Sequence, residues 1–364
     1  YWGIPIPAFY DTNTGKTCAD ETVAQRVADV VREHGSNVWF DDENWPIEKL
    51  LPDEFRPDEF KGATLAKMND IFDVWFESGA SHRGVVLAES ELQGGEELFR
   101  PADLYLEGDD QHRGWFQVSL ILGTATQGIS PFRNCLTSAF VVDEKGEKGS
   151  KSKGNIFAID EGCNTIGADL FRLYFASVDT SSPIPVTMDL VREKASNSYR
   201  NLRNTIRVLL GNLSDFNPAS DSVSELMEID RWALSRLSAC VADVRAAMDK
   251  FEFHVAMRRI TDFTNVEMSA FYIDVTKDRL YCDGASSASR RSGQTAMYQI
   301  ASALIRMLAP ICAHTADEAW AYLPHRDEGQ WSVHLADYPK ADDYARDEAL
   351  EADFARLLKV KEEV

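Results

Sequence analysis

The hydrophobic pattern of the sequence changes near Ala168, and this change limits the possible folds more than any other feature. Between Pro101 and Ile159, short apolar runs are separated by a helical segment around residues 115–126. A strand, a helix and a second strand in this order are typical of a parallel α/β sheet. After Ala168, apolar residues recur at i, i+3 and i+4 spacing, which predicts packed helices. An α/β part is therefore expected to precede an all-α helical bundle.

Breaks in the second pattern delimit the predicted helices, because proline, asparagine and glycine end helical segments. The helices are predicted over residues 189–213, 223–250, 252–277, 290–308 and 311–323, and the acidic tail over 342–364 is predicted to be helical too. One more helix is predicted from Glu21 to His34. Asp20 is its expected N-cap, since an aspartate can accept a hydrogen bond from a free N–H group of the first turn.

The chain length and the cysteine usage narrow the class of protein. A chain of 364 residues with 44% hydrophobic residues suggests two or three domains. The six cysteines stand alone, without a C-x-x-C pair, so neither a zinc site nor disulfides are expected. Unpaired cysteines also predict a cytoplasmic location. No apolar run is long enough to span a bilayer, and the first residues, YWGIPIPAF, lack the charged-then-apolar order of a signal peptide. Because this opening is apolar and lacks an initiator methionine, it is interpreted as a cut end.

One basic stretch stands out in a chain of net charge −21. An acidic chain does not favour general binding to polyanions, so any contact with RNA must be local. Such a place lies between Lys194 and Leu213, where Lys194, Arg200, Arg203 and Arg207 occur without an acidic residue. Positions 200, 203 and 207 share one helical face. This face is a candidate RNA-binding surface, with an ordinary solvated cationic face as the alternative.

A second candidate site is the glycine-punctuated loop KGEKGSKSKGN, residues Lys145–Asn155, which follows an apolar strand. Its lysines are Lys145, Lys148, Lys151 and Lys153. A flexible backbone can bring ammonium groups onto a polyphosphate, and Ser150 and Ser152 add hydroxyl donors. The glycine spacing is not that of a P-loop. A solvated surface turn is the alternative for such a loop taken by itself.

The segment KGSKS within this loop is similar to the Lys-Met-Ser-Lys-Ser loop of class I aminoacyl-tRNA synthetases. Further segments resemble the isoleucine enzymes of that class in chain order: YWGIPIP (residues 1–7), DVWFESG (Asp73–Gly79), YLEGDDQHRGWF (Tyr105–Phe116), IGADLFRL (Ile166–Leu173), YRNLRNTIRVLLGNLSDFNP (Tyr199–Pro218), FYIDVTKDRLYCD (Phe271–Asp283) and LAPICAHTADEAW (Leu308–Trp320). Isoleucine specificity rests chiefly on the EGxDQxRGWF pattern and on KDRLY. A valine enzyme would be expected to differ at the first of these.

The resemblance implies an isoleucine–tRNA ligase that forms isoleucyl-adenylate from L-isoleucine and ATP, with Mg²⁺, and transfers the acyl group to tRNA(Ile). Catalysis would rest on positioning and charge stabilisation. The implied residues are Lys151 and Lys148 for the phosphates, Ser150 and Ser152 for ATP, Glu107, Gly108, Asp110, Gln111 and Ser138 for the adenylate, Trp75 and Trp115 for the isoleucine side chain, and Lys194, Arg200, Arg203 and Arg207 for tRNA.

The resemblance also divides the chain. Residues 1–157 correspond to the second half of a Rossmann-like catalytic domain, 158–198 to a connecting region, and 199–364 to a helical anticodon-binding domain. The His-Ile-Gly-His half, the editing domain and a terminal zinc module have no counterpart here, so a fragment that is inactive alone is expected. A monomer is expected as well. A non-catalytic tRNA-binding module is the alternative from another class.

Four positions depart from the family pattern: Gly149 replaces methionine, Ser138 a histidine, Ala139 a glycine and Glu77 an aspartate. The departure at Gly149 is the nearest to the implied chemistry. Methionine could pack against the fold and restrain the loop, whereas glycine offers no side chain to bury and loses more backbone freedom on ordering. The sequence therefore predicts a loop that is more mobile than in the family.

Overall fold

The fold begins with an antiparallel three-stranded sheet. The structure is a computed structural model that describes residues 3–87, 101–150, 154–324 and 329–363. The chain divides into two units, Tyr1–Thr137 and Ser138–Val364. In the first unit, β1 (Phe9–Asp11) lies between β2 (Thr17–Cys18) and β3 (Leu65–Lys67). Phe9 is fully buried beneath this sheet, where its ring lies 5.2 Å from that of Trp39.

Helix α1 (Glu21–His34) covers the core of this sheet and has the predicted bounds. The Asp20 side chain accepts a hydrogen bond from Val23 N at 2.9 Å, so the predicted N-cap is confirmed. Val23, Val27 and Val30 are buried, because their spacing places them on one face of the helix. Helix α2 (Ile47–Leu50) and short 3₁₀ turns connect α1 to β3.

The rest of the first unit contains the strand, helix and strand that the sequence predicts. The elements are α3 (Val74–Gly79), a π-helical segment (His82–Leu87), β4 (Ala102–Gly108), a 3₁₀ turn (Asp109–Arg113), α4 (Trp115–Gln127) and β5 (Phe132–Ser138). Strands β4 and β5 are paired. Ala102 N at the start of β4 donates to Pro131 O just before β5, at 2.9 Å, so the two strands run parallel.

The second unit is mainly helical and confirms the predicted bundle. It contains β6 (Val141–Val142), β7 (Ile184–Pro185), α5 (Ile159–Ile166), α6 (Ala168–Ser177), α7 (Met188–Gly211), α8 (Pro218–Asp221), α9 (Glu228–Asp249), α10 (Phe253–Asp262), α11 (Ile273–Cys282), α12 (Ala288–Leu308), α13 (Ala313–Ala321) and α14 (Glu348–Glu363). Strands β6 and β7 are parallel. None of the helices in the described ranges is long and apolar enough to cross a membrane.

Three predicted helices differ from the observed ones, and one of them, predicted over residues 342–364, begins only at Glu348. Helix α9 begins at Glu228 rather than at residue 223, because Val223 N and Met227 N donate to side chains of α12, Thr295 Oγ1 and Ser292 Oγ, and do not continue a helix. The helix predicted over 252–277 runs on to residue 282 through the π-helical segment Phe263–Tyr272.

Helix α6 holds the corner between α12 and α13. The buried Asp169 carboxylate accepts hydrogen bonds from His314 N at 3.2 Å and Thr315 N at 2.7 Å, which caps the start of α13. The Arg172 guanidinium donates to Ile311 O at 2.8 Å, just beyond the end of α12. Two segments singled out in the sequence, IGADLFRL and LAPICAHTADEAW, therefore meet in one structural contact.

Candidate functional site

Two predicted pocket residues, Trp75 and Trp115, lie in the same unit on facing helices. Trp75 is in the first turn of α3, where its N–H donates to the Asp73 carboxylate at 2.8 Å. Trp115 begins α4, and its ring stacks on the buried Tyr105 with centroids 4.2 Å apart and an angle of 10° between the planes. The Trp75 side chain is 40% exposed. Apolar ring surface is thus available beside a stacked aromatic pair.

Gly114 lies between Trp75 and the side chain of Gln111. A Cβ atom at this position would be 2.9 Å from Gln111 Oε1 and 3.2 Å from Trp75 Cε3. Gln111 Oε1 also accepts a hydrogen bond from Trp115 N at 3.0 Å. The lack of a side chain at Gly114 therefore allows the two tryptophans and the glutamine to come together.

Four of the predicted adenylate-binding residues, Glu107, Gly108, Asp110 and Gln111, lie at the carboxyl end of β4 or in the turn that follows it. Glu107 is exposed, and its Oε2 accepts a hydrogen bond from Gly108 N at 3.1 Å. Asp110 is exposed in the 3₁₀ turn that follows. Ser138 is the last residue of β5. Polar groups at the carboxyl ends of parallel strands are well placed for ligand binding.

The departure at Glu77 has a structural explanation. Its Oε1 accepts a hydrogen bond from Ile4 N, which ties α3 to the segment before β1. Glutamate is one methylene longer than aspartate, and its carboxylate reaches Ile4 N through this extra length.

The lysine-rich loop begins as a tight hairpin. Asp143 N donates to Glu147 O at 3.0 Å, and Gly149 N donates to Val141 O at 2.9 Å. Gly146 has φ +77° at the turn, a conformation that favours glycine. Hydrogen bonds from Asn155 and from the backbone N–H of Glu147 lower the pKa of Asp143. The returning strand thus holds Lys148 in register with Val142.

Asn155 closes this loop at its other end. Its Nδ2 donates to Asp143 Oδ2 at 2.9 Å and to Lys148 O at 3.3 Å, while its Oδ1 accepts from Ser150 N at 2.9 Å. Nothing in the sequence alone indicated this role, because asparagine after glycine is common in turns of every kind.

Of the two lysines predicted to hold the phosphates, the structure describes Lys148 but not Lys151. The Lys148 ammonium group lies 3.4 Å from the centroid of the Phe140 ring, a cation–π contact that holds the charge above an aromatic face. Lys151 and Ser152 lie outside the described residues.

Ile156 occupies the space beside Gly149. A Cβ atom at position 149 would be 3.0 Å from Ile156 Cδ1 and 3.3 Å from Val141 O. The half-buried side chain of Ile156, from the end of the loop, therefore already lies where a side chain at position 149 would pack.

The predicted RNA-binding face lies on α7, and all four of its cations are exposed. They are Lys194, Arg200, Arg203 and Arg207. The opposite face of the helix is buried through Val191, Leu202, Ile206 and Leu209, among others. Arg203 and Arg207 line one groove, and Lys194 and Arg200 do not contribute to its wall. The structure therefore brings together two of the four residues.

All six cysteines are free thiols, three of them buried. Burial raises the pKa of both Cys240 and Cys312 to about 12, so these two remain protonated and unreactive.

Comparison with known proteins identifies the family. Residues 1–187 match the family of tRNA synthetases class I (I, L, M and V), and residues 230–364 match the anticodon-binding domain of tRNA ligases. The chain belongs to the class I tRNA synthetases.

Among its relatives, the isoleucine–tRNA ligase of Moorella thermoacetica is 42% identical over 365 residues, which cover 100% of this chain and 38% of that protein. The isoleucine–tRNA ligase of Staphylococcus aureus is 43% identical over 341 residues, covering 93% of this chain and 36% of that protein. The chain thus spans less than two fifths of the length of the curated relatives it matches.

Solved structures share the fold at lower identity. The ternary complex of Agrobacterium radiobacter K84 agnB2 LeuRS, tRNA and LeuAMS has a TM-score of 0.66 at 20% identity, covering 96% of this chain and 42% of that one. Mycobacterium tuberculosis methionyl-tRNA synthetase bound by methionyl-adenylate has a TM-score of 0.52 at 18% identity, covering 64% and 46%. The predicted order of α/β part and helical bundle is confirmed by these matches.

Proposed function

We propose that this chain is part of an isoleucine–tRNA ligase. The observation that carries the proposal is the grouping of Trp75, Gly114, Gln111 and Trp115 beside the carboxyl end of β4, within the segment that resembles the isoleucine enzymes most specifically. The identity of about two fifths to isoleucine–tRNA ligases supports isoleucine rather than valine as the amino acid.

In the proposed reaction, a carboxylate oxygen of L-isoleucine attacks the α-phosphorus of ATP, and the bond to the β-phosphate breaks with release of pyrophosphate. A ribose hydroxyl at the end of tRNA(Ile) then attacks the carbonyl carbon of isoleucyl-adenylate, and AMP leaves. Both steps need charge stabilisation at phosphate oxygens, and neither needs a covalent enzyme intermediate. Mg²⁺ bound with ATP would neutralise part of the phosphate charge.

Each candidate residue has a role in this scheme. Glu107 accepts hydrogen bonds from the ammonium group of isoleucine, and Gly108 lets the adenylate approach the backbone. Asp110 and Gln111 bond to ribose hydroxyls, and the Gln111 amide NH₂ group can donate while its oxygen accepts from Trp115 N. Lys148 and Lys151 hold the phosphates, with Ser150 and Ser152 as hydroxyl donors. Ser138 contacts the adenylate.

Other parts of the proposal concern the whole protein. We propose that it acts as a monomer in the cytoplasm, with residues 1–157 in the catalytic domain, 158–198 as a connecting region and 199–364 as the tRNA-binding domain. The cations of α7 then contact the phosphate backbone of tRNA(Ile).

Exchange of pyrophosphate into ATP tests the proposed activity. The full-length protein is expected to catalyse isoleucine-dependent exchange, with a higher kcat/KM for isoleucine than for valine, whereas residues 1–364 alone are expected to show none. A full-length protein that activates valine better, or no amino acid at all, would contradict the proposal. Robust exchange by residues 1–364 would show that the site is complete in this chain.

The Gly149 and Ile156 contact gives a second prediction. In the full-length protein, Gly149→Met is expected to raise the KM for ATP several-fold, because the new side chain must displace Ile156 Cδ1 and overpacking costs about 1–3 kcal/mol. Adding Ile156→Ala is expected to return the KM towards that of the unmodified protein. The exchange rate at varied ATP concentration measures both.

The KM for isoleucine is the internal control, and it should stay constant in both variants. If Gly149→Met alone lowers the KM for ATP, the loop had an unfilled anchoring site and Ile156 does not supply the anchor.

A further inference from the structure

A groove in the helical unit lies between α7 and α13 and has a volume of about 570 Å³. Volumes of this size are typical of sites for small organic molecules. Its wall includes Ile206 and Leu210 from α7, Ala319 from α13 and Tyr322 just beyond the end of α13. The groove is therefore mostly apolar, and its walls come from two helices of one unit.

Tyr322 is unusually exposed for an aromatic residue that lines an apolar groove. Its side chain is 72% exposed, so most of the ring faces solvent. Its backbone is nevertheless fixed, because Tyr322 N donates to Ala319 O at 3.1 Å and the next residue, Leu323, is buried. An uncovered ring on a fixed backbone offers a face on which another flat ring can stack.

The charges at the groove are two arginines and one glutamate. Arg203 is compensated, since its Nη2 lies 3.6 Å from Glu318 Oε2 across the groove. In the part of the chain that the structure describes, no carboxylate pairs with Arg207. Because the stretch from Lys194 to Leu213 contains no acidic residue, Arg207 keeps a positive charge at the rim of the groove in an otherwise acidic protein.

An apolar wall, an exposed aromatic ring and an uncompensated arginine together match one kind of ligand. A nucleotide of a single-stranded or unpaired RNA region offers a flat base that can stack and a phosphate that pairs with a guanidinium group. A peptide segment would use the apolar wall, but it would gain less from the cation at the rim.

We propose that this groove binds one unstacked nucleotide of the RNA substrate, with the base against Tyr322 and the apolar wall and the adjoining phosphate at Arg207. The proposal rests on the proposed function only in taking tRNA as the RNA. It assigns to Arg207 a different task from that of Arg200, which lies on α7 outside the wall of the groove.

Binding of tRNA(Ile) to the full-length protein tests the proposal at several salt concentrations. Tyr322→Ala is expected to weaken binding about tenfold or more without changing the dependence of log K on log salt, because stacking carries no charge. Tyr322→Phe is expected to bind as the unmodified protein does. Arg207→Ala is expected to weaken binding and to reduce the salt slope by about one counterion.

The matched control is Arg192→Ala. Arg192 is on the same helix, is exposed and pairs with Asp189 at 3.3 Å, so its removal is expected to leave affinity and slope unchanged. An effect of Arg192→Ala as large as that of Arg207→Ala would mean that α7 acts as a diffuse cationic face, and the groove would lose its assigned role.

Hydroxyl-radical footprinting of Tyr322 separates the remaining outcomes. Oxidation of Tyr322 in the free protein and protection by tRNA support the proposal. Protection already in the free protein would show that a protein segment covers the groove, which overturns it. If Tyr322→Ala binds tRNA with unchanged affinity, the proposed nucleotide site in the groove is wrong, but the proposed function is not affected. An unmodified protein that binds no tRNA overturns the proposed function together with this inference.

Discussion

Asp230→Ala is expected to lower the free energy of unfolding of the helical unit by about 3–5 kcal/mol, the usual cost of removing one partner of a buried ion pair. Asp230 is fully buried near the start of α9. Its carboxylate forms an ion pair with Arg279, whose side chain is only 12% exposed, and Arg279 Nη1 lies 2.8 Å from Asp230 Oδ2. Without Asp230, the guanidinium charge of Arg279 remains largely buried and uncompensated.

Two hydroxyl groups add to the effect. Tyr272 donates to Asp230 Oδ1 at 2.6 Å, and Ser292 donates to Asp230 Oδ2. Burial, with the nearby Asp230 charge, raises the pKa of Tyr272 well above its usual value, so its hydroxyl stays protonated and remains a donor. A buried donor without an acceptor costs about 1–3 kcal/mol. The alanine variant therefore loses contacts to three other helical segments at once.

Urea unfolding followed by circular dichroism measures the change. Asp274→Ala is a suitable control, because Asp274 is on α11 as Arg279 is but pairs with Lys277 at 2.8 Å on the surface. Exposed pairs of this kind are worth about 0–1 kcal/mol. If both variants unfold at similar urea concentrations, the Asp230 carboxylate does not hold these helices together.

Gly114→Ala is expected to lower kcat/KM for isoleucine in the full-length protein by about 10- to 100-fold. The new Cβ atom would be too close to Gln111 Oε1 and to the ring of Trp75, so one of them must move. Overpacking of this size costs about 1–3 kcal/mol, and each 1.4 kcal/mol is about a factor of ten. Either movement changes the surface on which the isoleucine side chain is proposed to lie.

The pattern of kinetic changes distinguishes a misplaced isoleucine pocket from a general loss of structure. The KM for ATP is expected to change little, because the lysines that are proposed to bind the phosphates are elsewhere in the chain. Gly84→Ala in the same unit is the matched control: among the described residues, apart from its chain neighbours and its own helix backbone, none lies within 4 Å of a Cβ at that position, so its kinetics should be those of the unmodified protein. A Gly114→Ala variant with an unchanged kcat/KM for isoleucine would exclude this role for Gly114.

The regular elements could be predicted because local chemistry determines them. Asp20 and the valines of α1 specify both the start and the buried face of that helix. The pattern from residue 188 onward specifies α7 within two residues at each end. The start of α9 could not be predicted, because the N–H groups of Val223 and Met227 bond to side chains about 65–72 residues further along the chain.

In the candidate site, too, some residues could be predicted from the sequence and others could not. Trp75 and Trp115 could be selected from the sequence as a pair of aromatic pocket residues. The roles of Gly114, Asn155 and Ile156 could not, because each depends on a contact that only the folded chain provides. KDRLY was chosen as a mark of isoleucine specificity, and the structure gives its arginine, Arg279, a part in a buried ion pair.

The hydrogen bonds of Asp169 and Arg172 also have a mechanical consequence. They join α6 to the corner between α12 and α13, and α13 forms one wall of the groove. Helix α6 follows the lysine-rich loop along the chain with only α5 in between. Since both ends of the corner bond to one short helix, we expect a shift of α6 to move the start of α13 as well. A displacement of α6 is therefore expected to change the width of the groove, whose wall includes residues of α13.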